Sequence, residues 1–353
     1  SVPVVEPSPT FKVYWNMPTF QCRSKKVTFT HIHADFGIIQ NEGDSFLGDK
    51  LSILYHPGRF PSKVKDVYAH GGIPQRGDLQ AHLEAFKKQV EKDIPDEAFD
   101  GIGIIDMERW RPIYHQNYGN FMFVKKESYR LERDIHGSSW KEAKLNFELS
   151  ARKFMEDTLA AAKEIRPLAR WGYYGFPYCF NMEGKVKQET CSDKTRKEND
   201  ESYWLWGEST ALYPSVYSPR DLTSSQLPAL IKGRVSESER VAAKGTPILP
   251  YFSFKYSNGS FFTEVSLQQY NTGITQINSP SPFYRWSTRR TDKCHPYTVD
   301  IPAVRTKRFA STFIVRTAKE WNTLPASLFP VDYNLGVFKS RVNRYLLGKY
   351  APS

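Results

Sequence analysis

The chain alternates between short apolar runs and longer stretches whose apolar residues recur at helical spacing. The short runs are Phe11–Trp15, Leu51–Tyr55, Gly101–Ile105, Trp171–Tyr174, Leu212–Tyr217 and Ile248–Phe254. Several are nearly continuous in apolar residues, as parallel strands covered on both faces are. Helices are predicted over Gln80–Ile94, Ser139–Ile165 and Asp221–Ala243. In the long middle one, Phe147, Ala151, Phe154, Thr158 and Ala161 share one face at a period of 3.6. Strand and helix alternate over roughly 260 residues, which predicts an α/β protein built as a (β/α) barrel rather than a sandwich. In such a barrel the chemistry sits at the C-terminal strand ends.

The third run ends in Asp106-Met107-Glu108. Side chains alternate across a strand, so Asp106 and Glu108 are expected on one side, with Met107 turned away. Two carboxyls held together cannot both ionise freely, and one keeps its proton above the usual range. A protonated carboxylic acid is what glycosidic bond cleavage requires. The plain alternative is a strand end with two solvated acids. The other strand ends supply Asn16, Tyr55-His56, Tyr173-Tyr174, Tyr217 and Lys255-Tyr256. A ring of tyrosines around two acids suits a carbohydrate cleft, although each tyrosine would also serve as core material.

Composition refines this picture. The 353 residues carry a net charge of +11, with 40% hydrophobic and 14% aromatic content. The charge is uneven: residues 271–353 hold 13 Lys/Arg against 4 Asp/Glu, and the rest is almost balanced. The basic character therefore belongs to the tail, not to a field around the two acids. The expected organisation is a barrel over 1–270 followed by an atypical basic tail, 271–353. None of the four cysteines lies in a C-x-x-C pair, which argues against zinc; no metal or cofactor is expected. Cys179 and Cys191 bracket a polar, lysine-rich loop and suit a local disulfide. Asn258-Gly259-Ser260 is a glycosylation sequon. With the absence of a Met or an apolar leader at Ser1, these features favour a secreted, extracellular protein. No apolar run reaches 18 residues, so no membrane-spanning helix is expected.

Ordered motifs carry a resemblance. They are Tyr14-Trp15-Asn16-Met17-Pro18, Leu54-Tyr55-His56-Pro57-Gly58, Gly71-Gly72-Ile73-Pro74, Gly103–Pro112, Trp171–Cys179, Leu212–Tyr217, Gly233-Arg234-Val235 and Leu249-Pro250-Tyr251. Over about residues 11–270 the chain resembles the animal hyaluronidases, most closely the insect venom enzymes. The resemblance implies a distorted TIM-like barrel that cleaves β-1,4 N-acetylhexosaminide bonds in hyaluronan, and it admits chondroitin. It implies retention of configuration by substrate assistance, with the 2-acetamido oxygen as nucleophile. Glu108 would be the general acid/base and Asp106 its orienter. Tyr55, Tyr174, Tyr217, Arg111 and Arg234 would bind substrate, Arg111 alternatively forming a structural salt bridge. His56 stands where venom members usually carry Asp, which bears on substrate contact and pH response.

The family pattern stops near residue 270. No apolar strand run followed by Trp-Gly occurs in Asn271–Arg290, so the usual last strand is expected to be missing. The resemblance implies a partner for Cys22 beyond that strand; Cys294 fills the role only if the tail folds back. Instead, Arg316–Pro325 is similar to the C-terminal end of non-LTR retrotransposon reverse transcriptases. Three readings compete: an active hyaluronidase, a relative that binds glycosaminoglycan without turnover, and nucleic-acid binding by the tail, the least expected.

Overall fold

The computed structural model describes residues 12–137, 140–219, 222–223 and 225–263. These residues belong to the first of two units into which the chain divides, Ser1–Ile277 and Asn278–Ser353. The basic tail with Cys294, the transposon-like segment and the region of the expected missing strand lie outside the described residues.

Three parallel strands form the centre: β1 (Leu51–Tyr55), β4 (Ile102–Asp106) and β5 (Arg170–Tyr173), in the order β1-β4-β5. Tyr55 pairs with Asp106 in the β1–β4 register, and Ile105 with Tyr173 in β4–β5. A small antiparallel hairpin, β2 (Ser62–Val64) and β3 (Val67–Ala69), leaves the loop after β1.

The wall continues past β5 by isolated parallel bridges, Tyr174 to Tyr213, Leu212 to Ile248 and Ser215 to Tyr251. The expected strands Leu212–Tyr217 and Ile248–Phe254 are thus reduced to bridges. Pro214, Pro247 and Pro250 explain this, because proline has no N–H to give to a ladder. Their carbonyls still accept: Leu212 N–H donates to Pro247 O at 3.0 Å and Tyr251 N–H to Pro214 O at 2.8 Å. The first run is likewise a single bridge, Tyr14 to Ile39. Between the first run and the last, the Asn16 amide donates to the Tyr251 hydroxyl. The architecture is a TIM-barrel-like α/β fold with an irregular wall.

Helices cover the outside. α1 (Ile32–Phe36) is a single short turn before β1. The predicted Gln80–Ile94 helix is α2 (Leu79–Asp93), capped by Asp78, whose side chain accepts from Ala81 N–H at 2.9 Å. The long middle prediction is α4 (Trp140–Ile165), and all five residues of its expected stripe are buried. Phe147 is fully buried there, so Phe147→Ala should cost about 3–5 kcal/mol. The third prediction shortens to α7 (Gln226–Val241). Besides α1, the helices α3 (Met122–His136), α5 (Asp193–Glu201) and α6 (Tyr203–Glu208) have no counterpart in the sequence reading. Among the described residues no helix is long and apolar enough to cross a membrane.

Candidate active site

Strand periodicity places the acids. Leu51 and Ile53 of β1 and Ile102 and Ile104 of β4 pack with Ala211 and Tyr213 in one buried cluster. Leu54, Ile105 and Met107 belong to a second, larger cluster that packs against the helices. Asp106 follows Ile102 and Ile104 with period 2, onto the face lined by Tyr14, Tyr174 and Tyr251. Met107 is buried among apolar residues, turned away as expected. Asp106 is only 4% exposed, whereas Glu108 is open to solvent. The Asp106 Oδ1 oxygen is buried with no hydrogen-bond partner, a rare state for a buried polar atom.

Both carboxyls hold protons above the usual range. Burial pushes Asp106 up to about 7, the charge of Glu108 adds to this, and Arg109 opposes it. Burial also raises Glu108, against the pull of Arg111 and Arg109. Glu108 is thus open to solvent as a residue while its carboxyl is partly desolvated. The pair therefore loses protons in two coupled steps. The charge of Glu108 is among the causes that hold the Asp106 proton up, so the two acids share their protons as one pair.

Tyrosines surround the pair. Tyr174 packs edge-on against Tyr251 at 5.0 Å and lies 6.2 Å from Tyr217. Its hydroxyl donates to Ser215 Oγ at 3.4 Å. Tyr55 is 56% exposed and stacks on Phe46. Burial, aided by the charges of Asp106 and Glu108, raises the Tyr55 and Tyr217 hydroxyls above their ordinary range, so both remain neutral donors. Tyr173 points outward and donates to Met155 O at 3.0 Å, and Tyr256 packs on Phe262. These two belong to the core rather than to the ring. Tyr251 takes a place in it that the sequence reading did not assign, although its motif had been noted.

The two arginines differ. Arg111 sits in a box of aromatic rings, with its guanidinium carbon 4.8 Å from the Tyr118 and Tyr178 centroids, 5.1 Å from Phe180 and 5.3 Å from Phe121. Nη1 donates to Gln116 O at 2.8 Å. The alternative of a structural salt bridge gives way to cation–π contact, which a planar guanidinium makes well. Arg234 donates through Nη1 to Ser215 O at 2.8 Å and through Nε to Asn181 Oδ1 at 3.4 Å, and it pairs with Glu183 at 3.6 Å. Arg234, unlike Arg111, lines a cavity together with Glu108, Tyr174, Tyr178, Glu183 and Ser215.

His56 carries a positive φ of 44° and its Nδ1 is buried without a partner. Burial, helped by Arg109, lowers its pKa, so the ring is neutral at neutral pH. The backbone N–H of His56 donates to Asp106 O at 2.8 Å, fixing the strand end. Cys179 and Cys191 form the expected disulfide, and among the described residues Cys22 has no disulfide partner. Asn258 is exposed in a turn where its Oδ1 accepts from Ser260 N–H at 3.0 Å and Oγ at 2.7 Å. Among the described residues no cluster of His, Cys, Asp and Glu is suited to a metal ion.

The glycosyl hydrolase 56 family, described as hyaluronidase, matches residues 1–273. A hyaluronidase of Apis mellifera is 41% identical over 263 residues, covering 70% of this chain and 69% of that protein. One of Dolichovespula maculata is 41% identical over 278 residues, covering 74% and 84%. Among solved structures, bee venom hyaluronidase in complex with a hyaluronic acid tetramer superposes with a TM-score of 0.73 at 38% identity, over 76% of this chain and 88% of that one. The family match spans well over half of the sequence, and the chain belongs to the hyaluronidase family of glycoside hydrolases.

Proposed function

We propose that the protein hydrolyses β-1,4 N-acetylhexosaminide bonds in hyaluronan with retention of configuration, and that residues 1–270 carry this activity. The observation that carries the reading is the buried, partnerless Asp106 Oδ1 beside a solvent-open Glu108. An acetamido N–H of a bound sugar would donate to Asp106. That bond favours the ionised form of Asp106, so the proton of the pair moves to Glu108. Glu108 then protonates the leaving glycosidic oxygen. Both acids sit at one strand end, so neither can attack from the opposite face of the ring. The attacking group is the substrate's own acetamido oxygen, oriented by the same hydrogen bond. Glu108, now a base, activates the water that opens the cyclic intermediate.

Tyr174 and Tyr217 would contact the sugar and its acetamido group, Tyr55 the neighbouring ring, and Arg234 a uronate carboxylate. Arg111, held in its aromatic box, keeps positive charge near Glu108. The disulfide and the exposed sequon at Asn258 support secretion and glycosylation.

Proton NMR of fresh digests of a reduced-length hyaluronan tests the chemistry. The first-formed product should carry the β anomeric signal. An α product appearing first would refute substrate assistance.

A further inference from the structure

Glu183 stands between the two arginines of the cleft. It lies on the loop after β5 and lines the cavity that holds Glu108, and also the neighbouring one with Tyr217 and Ser257. One carboxylate oxygen pairs with Arg234 Nη2 at 3.6 Å. The other accepts from the Tyr118 hydroxyl at 3.2 Å, and the Tyr118 ring rests 4.8 Å from the Arg111 guanidinium. Its side chain keeps 46% of its surface open, while that of Arg234 keeps 12%. Glu183 is thus the solvent-facing member of the pair and Arg234 the largely buried one. It places a negative charge where a polyanionic chain must pass, beside the cation best placed to meet that chain's carboxylate.

We infer that Glu183 is a specificity-determining residue that weakens binding of uronate-bearing sugars by competing for Arg234 and repelling their carboxylates. The inference rests on the reading of the cleft as a hyaluronan site. Removing the charge should tighten binding of an acidic chain and leave a neutral chain of the same backbone unaffected. At the separations seen here, screened by water, the expected gain is ~3–10-fold at low salt, fading near ~0.5 M salt.

The test measures binding by calorimetry in the Glu108→Gln full-length protein, with and without Glu183→Gln. The ligands are a hyaluronan hexasaccharide and the same hexasaccharide with its carboxylates reduced to alcohols. Glu183→Gln keeps one acceptor oxygen for Arg234, and its NH2 can donate to the Tyr118 hydroxyl oxygen in place of the present bond; Glu183→Asp, which retains the charge, should bind like the parent. Tighter binding of the acidic ligand alone, lost at high salt, supports the inference. An equal change for both ligands, no change, or weaker acidic binding overturns it while leaving the hyaluronan reading intact. Failure of the parent to bind either ligand overturns both.

Discussion

The Asn16 side-chain amide donates to the Tyr251 hydroxyl, joining residues 235 positions apart in sequence. One follows the first apolar run and the other lies in the last. Their contact stands beside the face that carries Asp106, and Tyr251 in turn braces Tyr174 edge-on. Tyr251→Phe should lower hyaluronan turnover several-fold and cost about 1 kcal/mol of stability. Asn16→Ala should cost a similar amount alone and little more in the Tyr251→Phe background. A double-mutant cycle by urea unfolding measures that coupling.

Asp106 makes stability depend on pH. Its proton is held up to about 7 instead of 3.8, so between those values the folded state binds more protons than the unfolded one. Stability from this group is therefore full below about pH 4 and falls as pH rises to about 7. Asp106→Asn should remove that fall, leaving the variant more stable than the parent at pH 8 by on the order of 1–4 kcal/mol while abolishing turnover. Urea unfolding at pH 5, 6, 7 and 8 reads the difference in slope.

His82 acts in the opposite direction. It is fully buried on α2, where Nδ1 accepts from Arg59 N–H at 2.8 Å and Nε2 faces Thr158 Oγ1 at 2.8 Å. Burial, with a smaller push from His70, lowers its pKa from 6.5 to about 4. A protonated Nδ1 cannot accept, so the loop that follows Tyr55 at the end of β1 loses its tether at Arg59. The stability this neutral ring provides is full above pH 6.5 and drains away as pH falls toward 4. His82→Gln should be less stable than the parent at pH 7, with a gap that narrows toward pH 4. Thermal unfolding across that range checks the sign.

These relationships were unevenly legible in the sequence. The runs that became β1, β4 and β5 are nearly continuous in apolar residues, and the spacing of Asp106 and Glu108 follows directly from strand period 2. The weaker strands were overread because Pro214, Pro247 and Pro250 interrupt their ladders. Helix α3 was missed because it buries Val124, Ser128 and Glu132 on one face, two of them polar, with Glu132 satisfied by Asn146 at 2.8 Å. The aromatic box of Arg111 draws Tyr178 and Phe180 from a loop about 70 residues later. No local pattern announces such a contact, nor the pairing of Glu183 with Tyr118 and Arg234.

Arg111 restrains the proton affinity of Glu108. Arg111→Gln should raise it further, so the alkaline limb of the pH profile of kcat/KM moves upward, because the protonated acid persists to higher pH. The box also loses its cation–π contacts, and the melting temperature should fall. An unmoved alkaline limb would separate Arg111 from the acid.

Hyaluronan chain length after incubation with purified protein, compared with Glu108→Gln, addresses the central claim most directly. The account expects the parent to shorten the polymer at mildly acidic pH. The variant should fold alike but lose about 100-fold or more of the rate. Intact hyaluronan with the parent, or equal cleavage by both proteins, would contradict it.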